Sequence, residues 1–429
     1  MIFKFKKITH LYLINAKVYY QKKIEFLDIE IKNSKIIKIA PKISHFAANS
    51  DVLDCKNYLI TPSFFDGHAH TRNPGFEEKE EISTFEVGCL VGGFLDVLAM
   101  GNVNPRPSNL LNYQQVQRTL DKTQVVNVKS VGSVTEWKNG VQNLVNFQEL
   151  VKLTNLFSDD GAPVLSKEMM QQALINAKKY KSSILVHEEH RTNNGVVYPC
   201  QFAVDNNISI LNQEYESHLV ARDIELNRNI NAHLHIQHIS TPQTIQHISK
   251  AKQAGVYVTC EITPHHLCLN NDMIKTDDAN FKMNPPLSTK SWQTYLINKF
   301  NKGAIDMIVT DHAPHCKHEK KDLRTGMYGI IGTEFCFPCL YTYLIKTKKV
   351  PLPLILEKLT TAPAALIFTT PHYIEVGMKA KLVIIDLLHT KKVTEDNIVS
   401  KSKNTPLLNK TLQGWPKYLI KNNILITIF

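Results

Sequence analysis

The sequence predicts an α/β fold: a (β/α)8 TIM barrel with a small β-sandwich domain formed by the N- and C-terminal segments. Three observations predict it. Both ends of the 429-residue chain alternate apolar and polar residues, the period of half-buried strands. The middle alternates short apolar strands with helical patterns over about 300 residues, close to the size of such a barrel. Groups able to bind metal or move protons fall just after the apolar runs, and a barrel gathers its site at those strand ends.

Residues 1–60 are the N-terminal part of the β domain. In "FLDIEIKNSKIIKIAPKI" the "KNSK" step reads as a hairpin turn between two alternating runs. The barrel is expected over 61–368. "NYLITPSFFDG" reads as a strand ending in a loop, and "GFLDVLAMG" and "VVNVKSVGSVT" as further strands. "SKEMMQQALINAKKYK" is a helix with Ser166 as N-cap candidate. "SSILVHEEH" is a strand and "ESHLVARDIELNRNI" a helix. "AHLHIQHIS" is a strand, followed by a helix with Thr241 as cap, Pro242 in the first turn and Gly255 as stop. "VYVTCEITPHH" and "AIDMIVTDHAPH" are strands again. Residues 369–429 are the C-terminal part of the β domain, with strands in "VGMKAKLVIIDLLH" and "WPKYLIKNNILITIF".

Composition narrows the function classes. Hydrophobic residues make up 43% and charged residues 21%, the balance of a soluble globular protein. No apolar run reaches the length of a membrane span. The N-terminal "MIFKFKKITHLYLINAKVYY" has no clean apolar core or small-residue cleavage site, and reads as a cytoplasmic protein. The net charge of +11 comes from dispersed lysines, whereas nucleic-acid binding calls for a concentrated stripe. The 8 cysteines are scattered and read as reduced thiols, with Cys336 and Cys339 as buried packing.

The first strand end carries "DGHAHTRNPG". Residues i and i+2 of a strand share a face, so His68 and His70 form a clamp suited to a metal such as zinc. With 18 histidines in the chain, one H-x-H carries little, and the case rests on the strand ends downstream. "LFSDDG" ends in Asp159-Asp160, "SSILVHEEH" reaches His187, "HLHIQHIST" reaches His238 and "IDMIVTDHAPH" reaches Asp311. Five strand ends thus deliver metal ligands to one rim.

These segments, with "FKMNPPL", "GIIGTE", "TTAPAALI" and "NTPLLNKTLQG", resemble the amidohydrolase superfamily and, within it, the monofunctional bacterial dihydroorotases, almost end to end. The resemblance implies a zinc-dependent hydrolase, with one or two Zn2+ per subunit, that interconverts N-carbamoyl-L-aspartate and L-dihydroorotate in pyrimidine synthesis. It implies His68 and His70 at a first metal position, and His187 and His238 at a second. Asp160 bridges or co-ligates, chosen over Asp159 by its place in the motif. Asp311 is a ligand and the general acid–base group. Arg72, Asn102 and His315 are implied as partners of the substrate carboxylate. Asn284 and the backbone at Tyr328 and Gly329 are implied as contacts of the ring. His265 and His266 read as braces of the rim. A homodimer and an association with aspartate carbamoyltransferase are open to such a chain, and neither a nucleic acid nor a membrane is an expected partner.

The sequence departs from the family pattern at Asn73, where Asp is usual, at Gly101 and Val103 in "MGNV", and at Ser288, where Arg is common. Rival readings are another cyclic amidase (dihydropyrimidinase, hydantoinase or allantoinase) and an inactive scaffold for aspartate carbamoyltransferase. The carboxylate trio opposes the first, and the complete set of six ligands opposes the second.

Overall fold

The computed structural model describes residues 3–138, 141–190, 194–366 and 370–429. The expected boundary between 368 and 369 lies outside them. Alternation at the two chain ends becomes strand. Lys23–Lys32 and Lys35–Ala40 pair as a hairpin. Its turn residues Asn33 and Ser34 take φ of 49° and 65°, the left-handed values a two-residue hairpin needs.

The terminal strands hydrogen-bond as one nine-stranded sheet, where a sandwich of two sheets was expected. Tyr58–Pro62 is the stitch: it runs parallel to His10–Tyr20 on one side and antiparallel to Leu382–Lys392 on the other. Leu382, Ile384 and Ile420 pack with Leu11, Leu13 and Val18 on one face. Val383, Ile385, Leu419 and Ile426 join the main core on the other.

"NYLITPSFFDG" was expected as one strand and is two. Tyr58–Pro62 belongs to the terminal sheet, and Phe64–Ala69 opens a parallel set. Proline has no N–H for the ladder. Just past Pro62, Ser63 donates its N–H to the Lys381 carbonyl at 2.9 Å and the chain changes sheet.

Eight parallel strands follow: β1 Phe64–Ala69, β2 Phe94–Ala99, β3 Asn127–Ser130, β4 Leu156–Ser158, β5 Ser183–Val186, β6 His233–Ile236, β7 Val258–Ile262 and β8 Met307–Ile308. β1 to β3 form one sheet and β4 to β8 another. Isolated parallel bridges, Gly132 to Phe157 and Ala69 to His312, span both gaps. β3 is shorter than "VVNVKSVGSVT", because Thr135–Lys138 turns into a hairpin with Val141–Leu144. β8 is the shortest strand, but its register continues. Val309 donates to the Ile262 carbonyl at 3.1 Å and Asp311 to the His68 carbonyl at 2.9 Å.

Helices separate these strands. Ser166 caps Lys167–Tyr180, accepting the Met169 N–H at 3.1 Å. Glu214–Ile230 follows, and then Pro242–Gln253, which Thr241 caps. Gly255 lies just past its end at φ 77°. Among the described residues no helix is long and apolar enough to cross a membrane.

Candidate active site

The C-terminal ends of β1, β4, β5, β6 and β8 converge. Asp160 sits at the centre. Its Oδ1 is 3.3 Å from His68 Nε2, 3.3 Å from His187 Nδ1 and 3.7 Å from His238 Nε2, and its Oδ2 is 3.4 Å from His70 Nε2. Asp311 Oδ1 lies 3.1 Å from His70 Nε2 and 3.6 Å from His68 Nε2. His187 Nδ1 and His238 Nε2 are 2.8 Å apart. Two triads have donor atoms within 4.8 Å of one another: His68, His70 and Asp311, and His68, Asp160 and His238.

Asp159 faces away and caps the neighbouring loop, accepting the Val134 and Thr135 N–H groups at 2.9 and 3.2 Å. Arg72, His238 and Asp311 have φ of 60°, 29° and 46°. Such values are uncommon for residues with a Cβ and gather at functional sites.

This cluster fits a divalent cation. His68 Nε2 and Asp160 Oδ1 are buried and make no hydrogen bond among the described residues. Imidazole nitrogens and carboxylate oxygens together suit a borderline metal. The neighbouring groups orient the lone pairs. Glu261, buried near the C-terminal end of β7, faces His68 Nδ1 at 2.6 Å and His235 Nε2 at 3.0 Å. A carboxylate only accepts, so His68 Nδ1 carries the proton and Nε2 faces the cluster. The Asn102 amide oxygen does the same for His70 Nδ1 at 2.7 Å.

The electrostatics follow from burial and neighbours. Burial works against the charge of His68, but Asp160 and Glu261 outweigh it and hold its pKa well above the ordinary value. Burial likewise opposes ionised Asp160, and His68 with His187 and His238 holds it well below the carboxylate range. Asp311 is lowered in the same way, against burial, by His70 and its neighbours. Burial, assisted by His187 and His68, depresses His238 against the opposing pull of Asp160.

A pocket of about 250 Å³ opens above the cluster, lined by His70, Arg72, Asn102, Asp160, His187, Glu189, His238, Asn284, Asp311, His315, Tyr328 and Gly329 among others. His68 lies beneath it, fully buried. Arg72 is buried and makes no ion pair among the described residues. Its Nε donates to the Pro314 carbonyl at 3.1 Å, and its Nη2 lies 3.3 Å from His315 Nε2. Burial lowers the Arg72 pKa, with Asp311, Asp160 and Glu319 opposing.

The pocket residues expected on substrate also have protein partners. His315 Nε2 donates to the Tyr328 carbonyl at 2.8 Å. Asn284 Nδ2 donates to Glu189 Oε2 at 2.7 Å and lies 3.0 Å from His187 Nε2, while its Oδ1 accepts the Tyr215 hydroxyl at 2.7 Å. Gly329 has φ 132°, and a Cβ there would lie 2.7 Å from Ala313 Cβ. Its N–H donates to the Lys282 carbonyl at 3.1 Å.

Sequence reasoning missed Glu261, Glu189, Tyr215, Glu319 and Lys320. Only Glu261 carried a local signal: a charge inside the apolar strand "VTCEI", where burial without a partner is rare. His266 braces the loop at Pro285 and Pro286, with its Nε2 at 3.1 and 3.2 Å from their carbonyls. The departures from the family pattern are internal. Asn73 donates to the carbonyls of Thr71 and Glu80, each at 2.7 Å, which Asp could not do. Ser288 donates to the Ser240 carbonyl at 2.6 Å, and Val103 is core. At Gly101 a Cβ would lie 3.0 Å from Pro107 Cγ. Cys336 and Cys339 are buried free thiols.

The sequence model of the family described as "Dihydro-orotase-like" matches residues 57–244. A dihydroorotase of Anoxybacillus flavithermus is 38% identical over 398 residues, 92% of each chain. One of Bacillus cytotoxicus is 37% identical over 393 residues, 91% of each chain. Among solved structures, the L-hydantoinase (dihydropyrimidinase) of Arthrobacter aurescens superposes with a TM-score of 0.85 at 20% identity, over 96% of this chain and 94% of that one. The dihydropyrimidinase of Brevibacillus agri gives 0.82 at 19% identity over the same shares. The structural likeness bears on the α/β fold alone.

Proposed function

The chain belongs to the dihydroorotase family, and from that premise we propose that its rim site, with bound zinc and with Asp311 as proton carrier, runs the reversible cyclisation of N-carbamoyl-L-aspartate to L-dihydroorotate in pyrimidine (UMP) biosynthesis. It is a hydrolase of cyclic amides. The observation that carries the site reading is the convergence of two triads of donor atoms, those of each lying within 4.8 Å of one another, beside a buried guanidinium. We read the eight parallel strands as a closed (β/α)8 barrel, supported by the two edge bridges.

His68, His70, Asp160, His187, His238 and Asp311 would hold the metal. When bound there, a divalent ion polarises the scissile carbonyl and makes water a nucleophile near neutral pH. Asp311 takes a proton from the attacking water as the new C–O bond forms. It returns that proton to the ring nitrogen as the C–N bond breaks, acting as base and then as acid. His70, 3.1 Å from its Oδ1, keeps it ionised beforehand. Arg72 grips the substrate carboxylate with a bidentate fork. Asn102 and His315 flank that fork, and Asn284 with the Tyr328–Gly329 backbone walls the ring.

The test compares substrates with and without a carboxylate. Removing one side of a buried charge pair costs about 2–5 kcal/mol. Arg72→Ala should therefore lower kcat/KM on dihydroorotate about 30-fold to several thousand-fold, with metal content unchanged. Dihydrouracil should be a poor substrate of the wild type and lose little further. A wild type that prefers dihydrouracil, or an equal loss on both, would move the assignment to the hydantoinase and dihydropyrimidinase branch.

A further inference from the structure

Lys320 takes no part in the metal cluster, yet its ammonium is turned into the protein. It donates to three carbonyls: Lys282 at 2.9 Å, Met327 at 2.7 Å and Gly329 at 2.9 Å. These carbonyls belong to two separate segments. Lys282 stands two residues before Asn284, and Met327 and Gly329 flank Tyr328. The Gly329 N–H donates back to the Lys282 carbonyl at 3.1 Å, so one cation closes a knot between two walls of the pocket. The Lys282 ammonium adds to the same face, lying 4.4 Å from the centre of the Tyr328 ring.

Resting on the reading that Asn284, Tyr328 and Gly329 wall the pyrimidine ring, we infer that Lys320 is a positioning residue whose ammonium fixes the spacing of those walls, and so governs substrate binding rather than the chemical step. Charge-assisted hydrogen bonds are roughly twice as strong as neutral ones. An ammonium has three N–H donors for three carbonyls. A neutral amine has only two, and its lone pair then faces a carbonyl oxygen.

The knot is poised near neutrality. Burial pushes Lys320 down to about 7, assisted by the charge of Lys282 and opposed by Asp278 and Glu319. His315, on the same loop, also feels the Lys320 charge. Below that midpoint the three-way clamp holds, and above it the clamp loosens. An anionic substrate favours the protonated lysine, and by reciprocity the protonated lysine favours the substrate. A wall that contacts ground state and transition state alike moves KM and leaves kcat. A purely architectural lysine would instead lower thermal stability with no such split.

The experiment uses the full metal-loaded chain with dihydroorotate, from about pH 6 to about pH 8.5, a range that brackets the shifted lysine. In the wild type KM should rise with pH across this range. Lys320→Met should raise KM at the acid end by about 10- to 100-fold, the scale of one charge-assisted hydrogen bond. Its kcat and metal content should hold, and its KM should lose the wild-type slope. Lys320→Arg, which stays charged, should give a flat KM between the two. If the wild type turns over dihydroorotate but Lys320→Met leaves KM unchanged, or lowers kcat as much as it raises KM, the inference falls. If Lys320→Met does not fold, the wild-type profile decides, and a flat KM overturns the inference. If the wild type does not act on dihydroorotate at all, the functional reading fails first and takes this inference with it.

Discussion

At the scale of single residues, the His and Asp cluster is oriented by groups outside it. Glu261 is the clearest. It lies 193 positions from His68 in the chain, yet it fixes which imidazole nitrogen faces the cluster. Its carboxylate is held down to about 2, against burial, by His68 and His235. It is therefore ionised at every working pH and only accepts hydrogen bonds. Glu261→Gln keeps the shape but removes the charge. An amide can also turn its NH2 toward Nδ1, which would favour the wrong tautomer. Partners of this kind are worth about 10- to 100-fold in metal affinity. Titration of the metal-free variant with zinc should show a loss of that size, with folding intact by circular dichroism. Unchanged affinity would mean that Glu261 is a structural charge and that Gln237, 3.1 Å from His68 Nδ1, suffices with the backbone to orient His68.

At the scale of elements, the sequence was legible where a rule acts over a few residues. Ser166 was readable as a cap because the serine stands directly before a helical period. Its hydroxyl oxygen accepts the Met169 N–H at 3.1 Å, Glu168 lies in the first turn, and Lys178 and Lys179 lie in the last. A lost serine cap costs about 1 kcal/mol, or about a fivefold change in local opening. Ser166→Ala should speed hydrogen exchange of the first-turn amides of Lys167–Tyr180 by about that factor while leaving kcat/KM unchanged. Protection that does not move would show that tertiary packing alone holds the helix start. The clustered His and Asp residues were legible as candidates for the same local reason, since each follows the apolar run that carries it. Glu189, Tyr215 and Lys320 were not, because they have partners on other segments. Tyr215 meets Asn284 across 69 positions and Lys320 meets Lys282 across 38, and no local period encodes such pairs. The strand break at Ser63 failed differently. An apolar run broken only by Pro62 does not say that one half pairs with one sheet and the other half with another.

At the scale of the whole molecule, the terminal sheet is tied to the parallel strands through shared core rather than through a linker. Alternation along Leu382–Lys392 sends Ile384 to the sheet's own cluster and Val383 to the main one. The first strand described, Phe3–Lys7, pairs with the last, Ile424–Ile428. Tyr58–Pro62 lies between strands from both ends, and the chain runs on from it into β1. Two cores that share one sheet should unfold together, because opening either one exposes the apolar face of the other. Ile426, fully buried in the main cluster, is the sharpest probe. Truncation to Ala removes about 2–5 kcal/mol of packing. The residue lies on the terminal sheet and not among the pocket-lining groups, so kcat/KM of the folded enzyme should stay near wild type. Hydrogen exchange should show the loss as an equal fall in protection in Leu382–Lys392 and in β7, whose amides lie in the other sheet. If protection falls in Leu382–Lys392 while β7 keeps its wild-type rates, the sheet is a separate cooperative unit, and the shared core does not couple the two.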